Sequence, residues 1–164
     1  MDKILVQMTE FNNWANEKYR AAFRGVEFEK LHAKTVYGPF IDLPVHMFAW
    51  VEGWSRRIQG ENIRAVKASP NFSSWEEIDK EWARIDRDFL ARVTSLGESE
   101  LNKGFKYTSM EGREMTGSVR NVILQLLHHQ MYHRGQIAIV FRQFGFQPLE
   151  DIHYIDFLLE RGLW

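Results

Sequence analysis

His129 and His133 stand one helical turn apart on a face that reads Val119, Val122, Leu126, His129, His133, Gln136, Val140. Steps of three and four residues mark the core-facing seam of an α-helix, so two imidazoles and an amide occupy positions where aliphatic side chains are expected. A polar group taken into a core without a partner costs roughly a few kcal/mol. Metal ligation answers this placement. An i, i+4 pair leaves one face of the helix and brings two ring nitrogens to a common point, about 2.0–2.1 Å from an ion. Such a pair alone is more often a coincidence on a solvated face, and a third ligand from another helix decides the matter. His46 supplies it. It is the only histidine of a second inward stripe, among Leu43, Met47 and Trp50.

Three neutral imidazoles leave at least one coordination position for water or substrate, as in a catalytic site and unlike a closed structural one. Imidazole suits several divalent ions, with Zn and Ni foremost and Fe, Mn or Cu behind them. Gln136 follows His133 by three residues and either lines the cavity, holds metal-bound water, or makes a plain polar helix contact. His128 points about 100° away from His129 and is expected in the outer shell or in packing. His32 and His153 lie near segment ends and read as surface residues. Other site chemistries lack their residues. A di-iron carboxylate bundle needs two Glu-x-x-His motifs and two more inward Glu residues; the chain has one such motif, Glu29 to His32. His-Glu-x-x-His, Gly-x-Ser-x-Gly and the phosphate-cradling loop are absent.

Four long helices are predicted to position these residues. The first runs from about Lys3 to Gly25, with Leu5, Met8, Phe11, Ala15, Ala22 and Phe23 on one side. Asn12, Asn13 and Asn16 are poor helix formers in its middle; they either face a polar cavity or are solvated, the latter being the first expectation. The second follows Gly38-Pro39 and ends near Gly60, with Pro44 tolerated in the first turn. From Glu61 to Ser73 the periodicity lapses, a connection long enough to cross a bundle. The third opens on Ser74-Trp75-Glu76-Glu77, a capping box in which Ser and Glu satisfy each other's backbone donors. Trp75, Ile78, Trp82, Ile85, Phe89, Val93 and Leu96 continue it to Gly97. Phe105 to Thr108 and Arg113 to Met115 flank Met110-Glu111-Gly112 and suggest a small hairpin. The fourth helix runs from Gly117-Ser118 to Phe144, and a short helix from about Glu150 to Arg161 packs outside.

The chain has 164 residues, enough for one domain spanning 1–164 with its own core. No run of about 18 uncharged apolar residues exists, so no membrane span is expected. The first residues lack the pattern of a signal peptide. Cysteine is absent, which rules out disulfides and thiolate ligands and fits the cytoplasm. The formal charge is −1, without the basic excess that binding to phosphate backbones draws on, so nucleic acid is an unlikely partner.

The segment Leu126-Leu127-His128-His129-Gln130-Met131-Tyr132-His133-Arg134-Gly135-Gln136-Ile137 resembles the signature helix of the DinB/YfiT-like family, in which a His is followed three residues later by His-Arg-Gly-Gln. Phe40 to Gly60 looks like that family's second helix with its single ligand His. Phe105 to Gly112 resembles its short extended piece. Phe141-Arg142-Gln143-Phe144-Gly145, then Pro148 and Asp151, is similar to its tail. The resemblance implies an all-α, four-helix bundle in up-down-down-up order, with a long crossover between helices 2 and 3 and a short C-terminal helix. It implies metal ligands at His46, His129 and His133, and a homodimer. It also implies chemistry of the thiol-transferase or isomerase kind with a low-molecular-weight thiol. Many members carry another His where this chain has Gln125, and Trp50 is expected to narrow the pocket. Gly135, costly inside a helix, suggests close approach of another helix, and Arg134 is expected to pair with a carboxylate on a neighbour.

Together these features point to a metal-dependent transferase or hydrolase that activates a thiol or water against a small electrophilic substrate. The alternative is a non-catalytic, metal-stabilised bundle used for dimerisation or stress-linked binding. DNA binding is the weakest reading.

Overall fold

The computed structural model describes residues 1–61, 63, 65–109, 111–146 and 149–164. Helix α1 spans Lys3–Phe23, and the Asp2 carboxylate caps it by accepting from the Ile4 and Leu5 amides at 3.1 Å each. A 3-10 turn, Phe28–His32, leads to a two-rung ladder between β1 (Lys34–Thr35) and β2 (Gly38–Pro39), which the sequence pattern does not announce. Helix α2 is Asp42–Ile58; Gly60, at φ +93°, turns the chain out of it. A second 3-10 turn, Ser69–Asn71, interrupts the long connection to α3, Trp75–Ser95. The expected capping box is displaced by one residue. Ser74 Oγ accepts from the Glu77 amide at 3.3 Å, but Glu77 accepts in return from the amide of Ser73, not Ser74.

The short helix α4 (Glu98–Leu101) precedes the expected hairpin, β3 (Gly104–Thr108) against β4 (Glu114–Ser118). Met110 in its turn and Pro148 in the tail lie outside the described residues. Helix α5 (Val119–Phe144) is capped by Ser118 and stopped by Gly145 in the left-handed region at φ +65°, where a side chain would be strained. Helix α6, Tyr154–Glu160, is shorter than expected and covers the outside of α1, with Phe157 against Phe11 and Trp14.

The long helices α1, α3, α2 and α5 form a ring in that order. Arg20 of α1 meets Asp79 of α3 at 2.7 Å and Asn16 meets Asp86 at 3.1 Å, so α1 and α3 run antiparallel. Phe48 of α2 faces Trp82 of α3, and Glu52 faces Arg84, so those two run parallel. His46 lies against His129, and Phe40, just before α2, lies against Phe141, so α2 and α5 are antiparallel. The order is therefore up-down-down-up, and the parallel pairing of α2 and α3 requires the connection between them to cross the bundle. Lys67 anchors this crossing on Glu52 at 3.0 Å and on Glu81, and Arg84 joins Glu52 at 2.7 Å.

Apolar packing fills most of the interior. Phe23 stacks on Trp75 at 4.5 Å and meets Phe141 edge-on at 4.9 Å. One layer is polar. Asn12 and Asn16 are buried, at 2% and 0% exposed, which overturns their expected solvation. They lie on the face of Leu5, Thr9, Tyr19 and Phe23, all buried.

Candidate metal centre

Helix α5 carries two polar pairs side by side, each with i, i+4 spacing. His129 and His133 turn toward α2, while Gln130 and Arg134 turn toward α1. His46 projects from the first turns of α2, whose neighbours Leu43 and Met47 are buried. The expected convergence is present. His46 Nε2 lies 3.1 Å from His129 Nε2, and His133 Nε2 lies 3.0 Å from the same atom. Two nitrogens on one ion sit roughly 2.9 Å apart at right angles and 3.3 Å apart in a tetrahedron, from bond lengths of about 2.0–2.1 Å. The observed separations fall between these.

Proton accounting within the cluster identifies what is missing. A neutral imidazole has one N–H and one lone pair. His133 Nδ1 faces Gln136 Oε1 at 2.6 Å and must donate, which leaves the lone pair on Nε2. The Trp50 indole N–H donates to His46 Nδ1 at 3.1 Å, which places the His46 hydrogen on Nε2. His129 Nε2 faces both of these Nε2 atoms, and His129 Nδ1 is buried without a partner. With a lone pair on Nε2, His129 accepts from His46 but opposes the lone pair of His133 at 3.0 Å; with a hydrogen there, it donates to His133 but meets the His46 hydrogen at 3.1 Å. Either tautomer leaves one contact of like with like, and a cation held on the ring nitrogens removes it. The donor set fits a divalent ion of borderline softness.

The local environment keeps the rings neutral. Burial pushes His46 down to about 4, with a further push from His133. Burial lowers His129 to about 4 as well, with His133 and then His46 adding to it. His133 is also lowered by burial, while its bond to Gln136 opposes the shift. Neutral imidazole is the form that ligates metal. Gln136, 9% exposed, fixes the His133 tautomer, so its role is to orient a ring.

The other expectations fare differently. His128 is exposed, with Nδ1 2.7 Å from the Leu124 carbonyl, and stands apart from the cluster. Gln125 is exposed too, and so are His32 and His153. Gly135 has nothing within 4 Å of where a Cβ would lie, so no helix approaches it. Arg134 does not meet a carboxylate directly. It donates to Asn12 Oδ1 at 2.7 Å and Asn16 Oδ1 at 2.8 Å, and Asn16 Nδ2 passes the contact on to Asp86 at 3.1 Å. Asn16 also donates to Gln130 Oε1, and Gln130 donates to the Met47 carbonyl next to His46. This layer escaped the sequence reading, although Asn12 and Asn16 share a face with apolar residues and Asp86 interrupts the stripe of Trp82, Ile85 and Phe89.

A model of the DinB family matches residues 1–157. The chain belongs to the DinB family. Protein DinB of Bacillus subtilis strain 168 is 20% identical over 155 residues, covering 89% of each chain. Among solved structures, YfiT from Bacillus subtilis is described as a probable metal-dependent hydrolase with an unusual four-helix bundle topology. It superposes with a TM-score of 0.68 at 12% identity, covering 90% of this chain and 91% of its own. A DinB-like protein from Bacillus cereus ATCC 10987 gives a TM-score of 0.70 at 16% identity, covering 91% of this chain and 95% of that one. At such identities the two structures establish the shared bundle, and the DinB assignment rests on the family match. No described helix of this DinB-family chain is long and apolar enough to cross a membrane.

Proposed function

We propose that the protein is a metal-dependent enzyme that holds one divalent ion on His46, His129 and His133 and activates a low-molecular-weight thiol, or water, for attack on a small electrophile. The contacts of His129 Nε2 carry this reading, because neither tautomer of His129 satisfies both His46 and His133, whereas an ion held by the three rings does. Zn or Ni suits the three imidazoles best, with Fe, Mn or Cu as further occupants. When bound, such an ion supplies Lewis acidity and lowers the pKa of a thiol or water. The chain contributes neutral rings, fixed by burial, and one oriented tautomer, set by Gln136. Among the described residues no carboxylate hydrogen-bonds to the three rings, so no general base is built in. That favours a thiol over water, because a metal-held thiol is deprotonated outright. The description of YfiT as a hydrolase keeps water as the second nucleophile to test.

Turnover decides. The metal-loaded protein, assayed with several thiols and one electrophile, is expected to outpace a His133→Ala control. Equal rates with the ion retained in the wild type assign the centre to stabilising the bundle instead.

We further propose a homodimer, in the cytoplasm. The outer faces of α1 and α5 leave Ile4, Met8, Leu124, Met131 and Ile139 exposed, at 74, 37, 37, 57 and 47%. Exposed apolar side chains that form one contiguous patch mark a protein contact. Met131→Asp is expected to shift the mass in light scattering from dimer to monomer with the helix content unchanged. A wild-type monomer removes this proposal.

A further inference from the structure

Trp50 holds the one ring nitrogen of His46 that is turned away from the cluster. Its indole Nε1 can only donate, and it lies 3.1 Å from His46 Nδ1 with the two rings edge to face. As long as this bond stands, the only lone pair of a neutral His46 is used on Trp50, and Nε2 presents a hydrogen to the point where the three rings meet. A His46 that offers Nε2 to an ion must carry its hydrogen on Nδ1, and there it faces the indole N–H donor to donor at the same distance. Gln136 does the opposite for His133: its carbonyl oxygen takes the Nδ1 hydrogen at 2.6 Å and frees Nε2. Of the two partners, one prepares its ring for ligation and the other opposes it.

We propose that Trp50 is a positioning residue that competes with the ion for His46. Loading the site breaks the indole bond and turns Trp50 away, so Trp50 weakens ion binding and reports occupancy. The proposal rests on the metal reading above. Trp50 is only partly buried, so its N–H can exchange His46 for water at little net cost. Arg57 sits behind the ring, its guanidinium carbon 5.6 Å from the Trp50 centroid and 4.8 Å from that of Trp54, and limits how far the indole travels.

The chain has six tryptophans, hence six indole N–H resonances in a 15N-labelled sample. Trp50→Phe removes one and so assigns it. On addition of Zn2+ alone, the Trp50 resonance is expected to move more than the other five. By competition with a coloured chelator, Trp50→Phe is expected to bind Zn2+ about fivefold more tightly, the worth of one ordinary hydrogen bond. A Trp50 resonance that stays in place while Zn2+ binds overturns the proposal, and so does weaker binding by the variant. Failure of the wild type to take up Zn2+ at all overturns the metal centre and this role with it, which separates the two claims. Should Trp50→Phe not fold, assignment of the indole through its contact with the His46 ring keeps the wild-type titration decisive.

Discussion

Helix α5 places two polar pairs one residue out of step, and the protein completes only one of them. Gln130 and Arg134 turn toward α1 and the α2 backbone, where Asn12, Asn16 and the Met47 carbonyl meet their donors and acceptors, and Asn16 passes the contact on to Asp86. His129 and His133 turn toward α2, where they find a third imidazole, a ring contact that neither His129 tautomer satisfies, and an Nδ1 without a partner. The first pair is buried and the second partly buried. The first is a finished piece of structure that ties four helices together. The second is finished only by something the chain does not supply. The difference shows that burial of polar groups in a bundle signals a ligand site when the hydrogen-bond accounting fails, and architecture when it closes.

Breaking the finished layer should cost the most. Arg134→Ala strands the amide oxygens of Asn12 and Asn16, and is expected to destabilise the fold by about 2–5 kcal/mol in denaturant titrations, from unpaired buried acceptors at roughly 1–3 kcal/mol each, while leaving Zn2+ affinity nearly unchanged. The reverse pattern is expected of His133→Ala: Zn2+ binding weaker by more than about 100-fold, beyond the loss typical of an outer partner, with metal-free stability altered by less than about 1 kcal/mol because the unmatched contact in the ring cluster is relieved. Equal effects of the two variants on both quantities would erase the distinction. A smaller loss, about tenfold in Zn2+ affinity, is expected for Gln136→Ala, which frees His133 to adopt the wrong tautomer. An unchanged affinity would reduce Gln136 to a packing residue.

The smallest effect concerns pH, where the two regions pull in opposite directions. His46 and His129 are lowered to about 4 from an ordinary 6.5. Between those values the unfolded metal-free chain binds more protons than the native one, so their contribution to stability falls as pH drops from 6.5 to 4. Burial raises Asp86 from 3.8 to about 7, against the pull of Arg20, Asn16 and Arg134. Its native form holds the extra proton, so its contribution falls as pH rises from 3.8 to 7. Over the shared window the slopes oppose each other. Asp86→Asn is therefore expected to steepen the acid loss of the metal-free protein, and an unchanged slope would show that Asp86 does not hold its proton.

Much of this was legible from residue order. The seam of α5, the stripe of α2 and the lapse after Gly60 located three rings and a crossing connection, because helical period alone fixes which side chains share a face. The partners across the bundle were not legible. Asn12 and Asn16 read as solvated when judged by helix propensity, and only the juxtaposition of α1 with Arg134 and Asp86 explains their burial. Gly135 and Arg134 failed for the same reason: period gives a direction but not the neighbour found there. Trp50 was legible as bulk, whereas its effect depends on which nitrogen it meets.

The parallel pairing of α2 and α3 has a consequence for synthesis. Neither helix can fold back on the other as a local hairpin, and the ring closes only when α5 docks between α1 and α2. His46 is separated from His129 by 83 residues. At roughly 5–20 residues per second, the nascent chain carries His46 for about 4–17 s before its partners leave the ribosome. On the proposed metal reading, capture of an ion falls among the last events of maturation, and the ion would act as a clasp across half the length of the chain.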